Sequence, residues 1–243
     1  SKKMKGVILA GGKGTRMLPL TKVTNKHLLP IYNEPMIYYP IKTLAAAGIK
    51  DILIVVGGES IGEFLRLLSN GSEFGVNLTY RVQDGSGGIP SALSLAKEFA
   101  DKEKVMVVLG DNIMDESLKD DVSKFEKGSS GAHIFVKEVH DPQRYGGVEL
   151  KGGKVTAIHE KPANPPSNLC VTGVYLFDSN VFDVISRLKP SKRGETEIVD
   201  VLEHYLKAGK LSWSKLKDYW TDAGTLESWF EANAIVREKR SKP

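Results

Sequence analysis

The first residues able to do chemistry lie where an apolar run meets a cluster of glycines. Gly6-Val-Ile-Leu-Ala-Gly-Gly-Lys-Gly-Thr-Arg16 is a buried-strand pattern that ends in three glycines within four positions. Such a loop lets backbone N–H groups approach a phosphate chain, because glycine tolerates unusual dihedrals and carries no side chain to block access. Arg16 and Lys26 follow closely enough to reach a triphosphate held there. The loop is not a P-loop, since Gly12-Lys13 is followed by Gly14 where Ser or Thr is required. Nor is it a dinucleotide fingerprint, because Met17 stands where the third glycine should be. Taken alone, it is as compatible with a plain turn between strand and helix as with a phosphate cradle.

Three further clusters carry charge. Leu109-Gly110-Asp111-Asn112 follows the apolar run Val105 to Leu109, which places Asp111 beyond the carboxyl end of a strand, where ligands gather in an open parallel sheet. Tyr219-Trp-Thr-Asp-Ala-Gly-Thr225 sets Asp222 between an aromatic pair and a glycine turn that opens the last helix. Mg²⁺ takes one or two protein carboxylates and completes its octahedron with water and substrate phosphates, so Asp111 and Asp222 suffice for it. His159-Glu-Lys-Pro162 ends a strand, where Lys161 could neutralise a second phosphate and Glu160 could accept hydroxyl groups. Each cluster also has a plainer reading: an Asp-Asn turn or helix cap, a helix-start aspartate, a solvated strand end.

These groups need a scaffold, and the patterning supplies one. Up to about residue 130, β-branched runs (Lys5 to Ala10, Asp51 to Val56, Asn77 to Val82, Lys104 to Leu109) alternate with helical stretches (Pro35 to Ala47, Ile61 to Ser69, Pro90 to Phe99, Leu118 to Lys127). That rhythm predicts an α/β, Rossmann-like fold, a mostly parallel central sheet flanked by helices; continuous apolar runs suit strands covered on both faces. After Gly131 shorter runs follow (Ala132 to Val139, Gly147 to Leu150, Val155 to Glu160, Val171 to Phe177), read as strands that extend the sheet and form an inserted β-rich lobe. Helices are expected over Asn180 to Leu188, Glu195 to Ala208 and Leu226 to Arg240. The expectation is one domain over 4–240, with 4–130 binding nucleotide and 131–240 binding the second substrate.

Composition narrows the classes. A net charge of +4 is spread thinly, with no basic stripe, which argues against nucleic acid as a partner. The single cysteine, Cys170, cannot form an intrachain disulfide and suits a reducing compartment. The first apolar run is too short for a signal peptide and no later run could span a bilayer, so a cytoplasmic location without membrane contact is expected.

Taken together, Gly11-Gly-Lys-Gly-Thr-Arg16, Lys26-His-Leu-Leu-Pro30, Val82-Gln83, Leu109-Gly-Asp-Asn112, Arg144-Tyr-Gly146, Glu160-Lys-Pro162, Val171-Thr-Gly173, Arg193-Gly-Glu195 and Trp220-Thr-Asp-Ala-Gly-Thr225 resemble the glucose-1-phosphate thymidylyltransferases, within the sugar nucleotidyltransferases. The resemblance runs from Met4 to about Val236. It implies that Leu9, Ala10, Gly11 and Gly12 contact the nucleotide, that Gln83 and Gly88 address the base, and that Arg16 and Lys26 bind phosphates. It further implies Mg²⁺ on Asp111 and Asp222, a sugar-phosphate pocket of Asn112, Gly146, Glu160, Lys161 and Val171, and a homo-oligomer. The implied catalytic groups are Arg16, Lys26, Asp111 and Lys161, and the implied substrates are dTTP and glucose-1-phosphate, with UTP or CTP as alternatives.

The chain departs from the pattern at Asp84 to Ser91, at His27 where glutamine is common, and at Gly147; it also stops soon after the last helix, without the C-terminal extension of longer members. Two other classes stay open at this stage. A nicotinamide-dependent oxidoreductase would show NADH binding, and a catalytically silent nucleotide sensor would bind nucleotide without releasing pyrophosphate.

Overall fold

The computed structural model describes residues 3–241. In its first half, in chain order, come β1 (Lys5–Ala10), β2 (Pro30–Ile31), β3 (Glu34–Pro35), α1 (Tyr38–Ala46), β4 (Asp51–Gly57), α2 (Ile61–Leu68), β5 (Asn77–Gln83), α3 (Ile89–Ser94), α4 (Lys97–Ala100), β6 (Val105–Leu109), β7 (Asn112–Met114) and α5 (Lys119–Lys127). The second half adds β8 (Ala132–Glu138), β9 (Gly147–Lys151), β10 (Lys154–His159), β11 (Leu169–Phe177), α6 (Val181–Ser186), α7 (Ile198–Lys207), β12 (Leu211–Lys215), β13 (Trp220–Asp222) and α8 (Leu226–Arg240).

The main sheet has the order β10-β9-β11-β6-β1-β4-β5, with β8 and β12 branching from β11. β6, β1, β4 and β5 are parallel, whereas β11 joins β6 antiparallel. Alternate residues of β1 bury on opposite faces: Val7 and Leu9 pack toward α3, α6 and α7, while Ile8 and Ala10 pack toward α1, α2 and α5. The expectation of a mostly parallel sheet covered on both faces therefore holds. Strand order reverses around β1, which is flanked by β6 on one side and β4 on the other. Their chains part beyond the carboxyl ends of β1 and β6 and leave a crevice there, as open α/β sheets do.

Several boundaries differ from expectation. The helix expected from Pro35 starts at Tyr38, because Glu34–Pro35 pairs with Pro30–Ile31 as a small ribbon. The stretch from Pro90 to Phe99 is two short helices separated at Leu95 and Ala96. The helix expected from Glu195 begins at Ile198, since Thr196 is bonded into a neighbouring loop. A third apolar cluster, including Met17, Ile31, Met36, Ile113, Ala223 and Val236, seats α8 against β2 and the β7–β13 ribbon. Among the described residues, no helix is long and apolar enough to cross a membrane.

Candidate active site

The loop after β1 and the residues after β6 line one cavity of about 360 Å³, together with Gln83 at the end of β5 and the segment Gly85 to Ile89. Leu9, Gly11, Gly12, Arg16, Lys26, Gln83, Gly88 and Asp111 all face it. Ala10 does not; its side chain is buried in the core on the other face of β1. Lys26 is only 9% exposed, and its Nζ donates to Asp111 Oδ2 at 3.1 Å. Burial alone would raise the Asp111 pKa, but Lys26 and its other neighbours bring the carboxyl down to about 2. Beside it, burial, reinforced by Lys26, pushes His27 down to about 3, so its ring is neutral near pH 7.

Asp222 reaches the same place from far along the sequence. The β7–β13 ribbon pairs Asp222 with Asn112, and the Ala223 N–H donates to the Asp111 carbonyl at 2.8 Å, which continues that ladder. Gly224 shows how tightly the two carboxylates converge. A Cβ there would stand 3.0 Å from Asp111 Oδ2, 3.4 Å from Asp222 Oδ2 and 3.3 Å from an Arg16 guanidinium nitrogen. Burial and the nearby Asp111 carboxylate push the Asp222 pKa upward. Its own oxygens accept from Tyr145 Oη at 2.6 Å and from Arg144 Nη2 at 3.3 Å, and Arg144 is anchored in turn on Asp141 at 2.9 Å. No cluster of three or more His, Cys, Asp or Glu side chains suited to a metal occurs among the described residues. Two mutually repelling carboxylates beside an opening fit a hard cation that keeps most of its coordination sphere for water and phosphate oxygens.

A second cavity, of about 270 Å³, opens on the other side of this pair. Its floor is a break in β11. Val171 pairs with Val136 and Tyr175 with Ile134, four steps along β11 against two along β8, so β11 bulges there. On the other edge of β11, β6 pairs with Val174 to Phe177 and β9 with Cys170, and between them the Gly173 N–H donates to Asn112 Oδ1 at 2.9 Å. The bulge thus opens the sheet where Asn112, Gly146, Glu160, Lys161, Val171 and Asp222 gather. Lys161 has φ 36°, a left-handed conformation that costs a non-glycine residue on the order of 1 kcal/mol and concentrates at functional sites. Burial pushes the Glu160 carboxyl up. The Asn112 amide is committed to the frame: Oδ1 accepts from Gly173 N and, at 2.8 Å, from Trp220 Nε1, while Nδ2 donates to Asp111 Oδ1 at 3.1 Å.

The two cavities share a wall formed by Arg16, Gly88, Ile89, Leu109, Asp111 and Glu195. Sequence reasoning assigned no task to Arg144, Tyr145, Arg193 or Glu197, which also face the second cavity. The first two follow Asp141-Pro142 and the others lie in the turn before α7. Arg144, Tyr145 and Arg193 stand in motifs that carry the resemblance, but their place at this cavity comes from proximity in the fold.

A Rossmann-like sheet whose reversal point holds a glycine-lined, cation-bearing cavity, joined across two carboxylates to a second polar cavity, defines a nucleotide-binding protein built to bring a second ligand against the phosphates. The chain belongs to the nucleotidyl transferase family, whose model matches residues 5–239. It is 42% identical over 238 residues to a glucose-1-phosphate thymidylyltransferase of Neisseria meningitidis, spanning 96% of this chain and 83% of that protein. A crystal structure of a candidate glucose-1-phosphate thymidylyltransferase from Bacillus anthracis, in complex with sucrose, superposes with a TM-score of 0.93 at 47% identity, covering 97% of this chain and 96% of that one. A UDP-glucose pyrophosphorylase complexed with UDP-glucose superposes at 0.84 and 27% identity, covering 98% of this chain and all of that one.

Proposed function

We propose that the protein transfers the thymidylyl group of dTTP to glucose-1-phosphate, forming dTDP-glucose and pyrophosphate with Mg²⁺ as its divalent cation. One observation carries the reading above the others: Asp111, Asp222 and Arg16 converge on Gly224, beside the wall common to the two cavities. Triphosphate and sugar phosphate placed in those cavities would meet there. The choice of dTTP and glucose-1-phosphate rests on the names of the relatives at 42–47% identity.

In this reaction a phosphate oxygen of glucose-1-phosphate attacks the α-phosphorus in line. A new P–O bond forms as the bond to the bridging oxygen breaks, and its electron pair leaves with pyrophosphate. The nucleophile is already anionic, so no general base is needed, and rate comes from positioning and charge neutralisation. Gly11 and Gly12 would offer backbone N–H groups to the nucleotide, while Gln83 and Gly88 would border the base. Arg16 would take the charge that develops on the leaving pyrophosphate, and Lys26, close to Asp111, would add to it. Lys161 would hold the attacking phosphate, with Glu160 accepting sugar hydroxyls. Mg²⁺ held by Asp111 and Asp222 would supply further neutralisation of the phosphates.

Incubation with dTTP, glucose-1-phosphate and Mg²⁺ should yield pyrophosphate and dTDP-glucose in equal amounts. Tight nucleotide binding with no pyrophosphate release would overturn the reading. The likeness to a UDP-glucose pyrophosphorylase supports a uridylyl transfer as the second reading. Thymine and uracil differ by one methyl, which a pocket discriminates by about 1–3 kcal/mol, so comparing kcat/KM for dTTP, UTP, CTP and GTP separates the two.

A further inference from the structure

The cavity that takes the nucleotide and the cavity that takes the second substrate are joined by more than their shared wall. The segment Gly85 to Gly88 borders the first, and the turn from Arg193 to Glu197 borders the second. One residue ties them together. The Thr196 N–H donates to the Gly87 carbonyl at 3.1 Å, and Thr196 Oγ1 donates to the same oxygen at 2.9 Å. The neighbouring backbone is locked into this contact: Gly88 has φ 88°, and a Cβ on it would collide with the Thr196 carbonyl. On either side of Thr196 stand acidic residues of the substrate cavities. Glu195 faces both, and Glu197 faces the second and pairs with Arg193 Nη2 at 2.7 Å. Arg193 Nη2 is also 3.8 Å from Glu160.

We infer that Thr196 is a positioning residue that couples the two subsites: nucleotide binding against Gly88 sets the Arg193 to Glu197 turn, and so raises affinity for the sugar phosphate. This rests on the proposed thymidylyl transfer. The physical basis is that the turn is braced within itself, by the Ser191 N–H on the Glu195 carbonyl and by Ser191 Oγ and Arg193 on Glu197, so it shifts as one piece, and its Thr196 bonds to Gly87 are what tie it to the nucleotide-side loop. A segment ordered by one ligand is cheaper for the second to use. Two hydrogen bonds on one carbonyl oxygen concentrate the link in a single side chain and its own N–H. Such a coupling is reciprocal, so the sugar phosphate must tighten nucleotide binding by the same factor.

The test is calorimetric titration of glucose-1-phosphate into the full chain, with and without the non-reactive analogue α,β-methylene dTTP and Mg²⁺. The wild type should bind glucose-1-phosphate more tightly when the analogue is present. Thr196→Val removes the hydroxyl while keeping size and N–H, and should reduce that enhancement by about three- to tenfold, the worth of one hydrogen bond. Thr196→Ser keeps the hydroxyl and should restore it to within about twofold. Affinity for the analogue alone should change little in either variant, which separates a coupling role from a merely structural one. An enhancement in Thr196→Val equal to that of the wild type, or a Ser variant no better than Val, would overturn the inference. Failure of the thymidylyl reading looks different, because then the wild type itself releases no pyrophosphate from dTTP and glucose-1-phosphate.

Discussion

Asn112 and Lys161 show how differently single residues serve this site. The Asn112 side chain accepts from Gly173 N and Trp220 Nε1, both buried, and so pins the β11 bulge to the β7–β13 ribbon. Asn112→Ala strands both donors and should destabilise the fold by about 2–6 kcal/mol, at 1–3 kcal/mol for each unsatisfied group, measurable by urea unfolding. Lys161 makes no comparable contribution to the frame and sits in a strained conformation beside the second cavity. Lys161→Ala should raise KM for glucose-1-phosphate at least tenfold and leave KM for dTTP nearly unchanged; equal effects on both would contradict its placement on the sugar phosphate. Asp111, Lys161 and the glycine loop were legible as candidates from residue type, each with a plainer reading beside it, and the fold brings them to the two adjoining cavities. Asn112 was not, since nothing in its sequence neighbourhood indicates that its amide would be spent on Gly173 and Trp220.

Among the elements, the strands that build the scaffold were the easy part and those that assemble the site were not. β1, β4 and β6 announce themselves as continuous β-branched runs because helices cover both faces. β7 and β13 have three residues each, too few to show periodicity, yet their pairing is what sets Asp222 beside Asp111. Just after β13, Gly224→Ala would push a methyl between these carboxylates and Arg16. Turnover should fall by at least tenfold while the unfolding midpoint changes by only a few degrees. A second test concerns the packing of α5 and β12 on β8. His133, buried on β8, meets Ser212 Oγ at 2.8 Å through Nδ1 and Ser214 Oγ at 2.6 Å through Nε2, and Ser214 Oγ donates to Asp121 Oδ1 at 2.8 Å. Burial pushes its pKa from 6.5 down to about 4. The unfolded chain therefore binds this proton first, and stability should fall as pH drops from 6.5 toward 4, with a slope of at most about 1.4 kcal/mol per unit from this group. His27 adds a contribution of the same sign. His133→Gln should flatten that limb of the unfolding curve, and an unchanged slope would contradict the assignment.

At the scale of the whole molecule, one sheet does two jobs: its parallel half ends in a glycine-lined cavity, and its antiparallel half, opened by the β11 bulge, forms a second cavity against it. Because both substrates bind the folded chain alone, dTTP with Mg²⁺ at about 100 times its Kd should add about 2.7 kcal/mol to the unfolding free energy. Chelation of Mg²⁺ should remove most of that protection without unfolding the protein, since the Asp111 and Asp222 carboxylates already hold protein partners of their own. The central claim is that these two carboxylates stand where α-phosphate and sugar phosphate react. It is tested most directly by single-turnover pyrophosphate release from dTTP and glucose-1-phosphate with Mg²⁺ saturating, comparing the wild type with Asp111→Asn. The account predicts a fall of about 10²- to 10³-fold, the scale of losing a charge-stabilising contact in a transition state. Release from Asp111→Asn at close to the wild-type rate would contradict it.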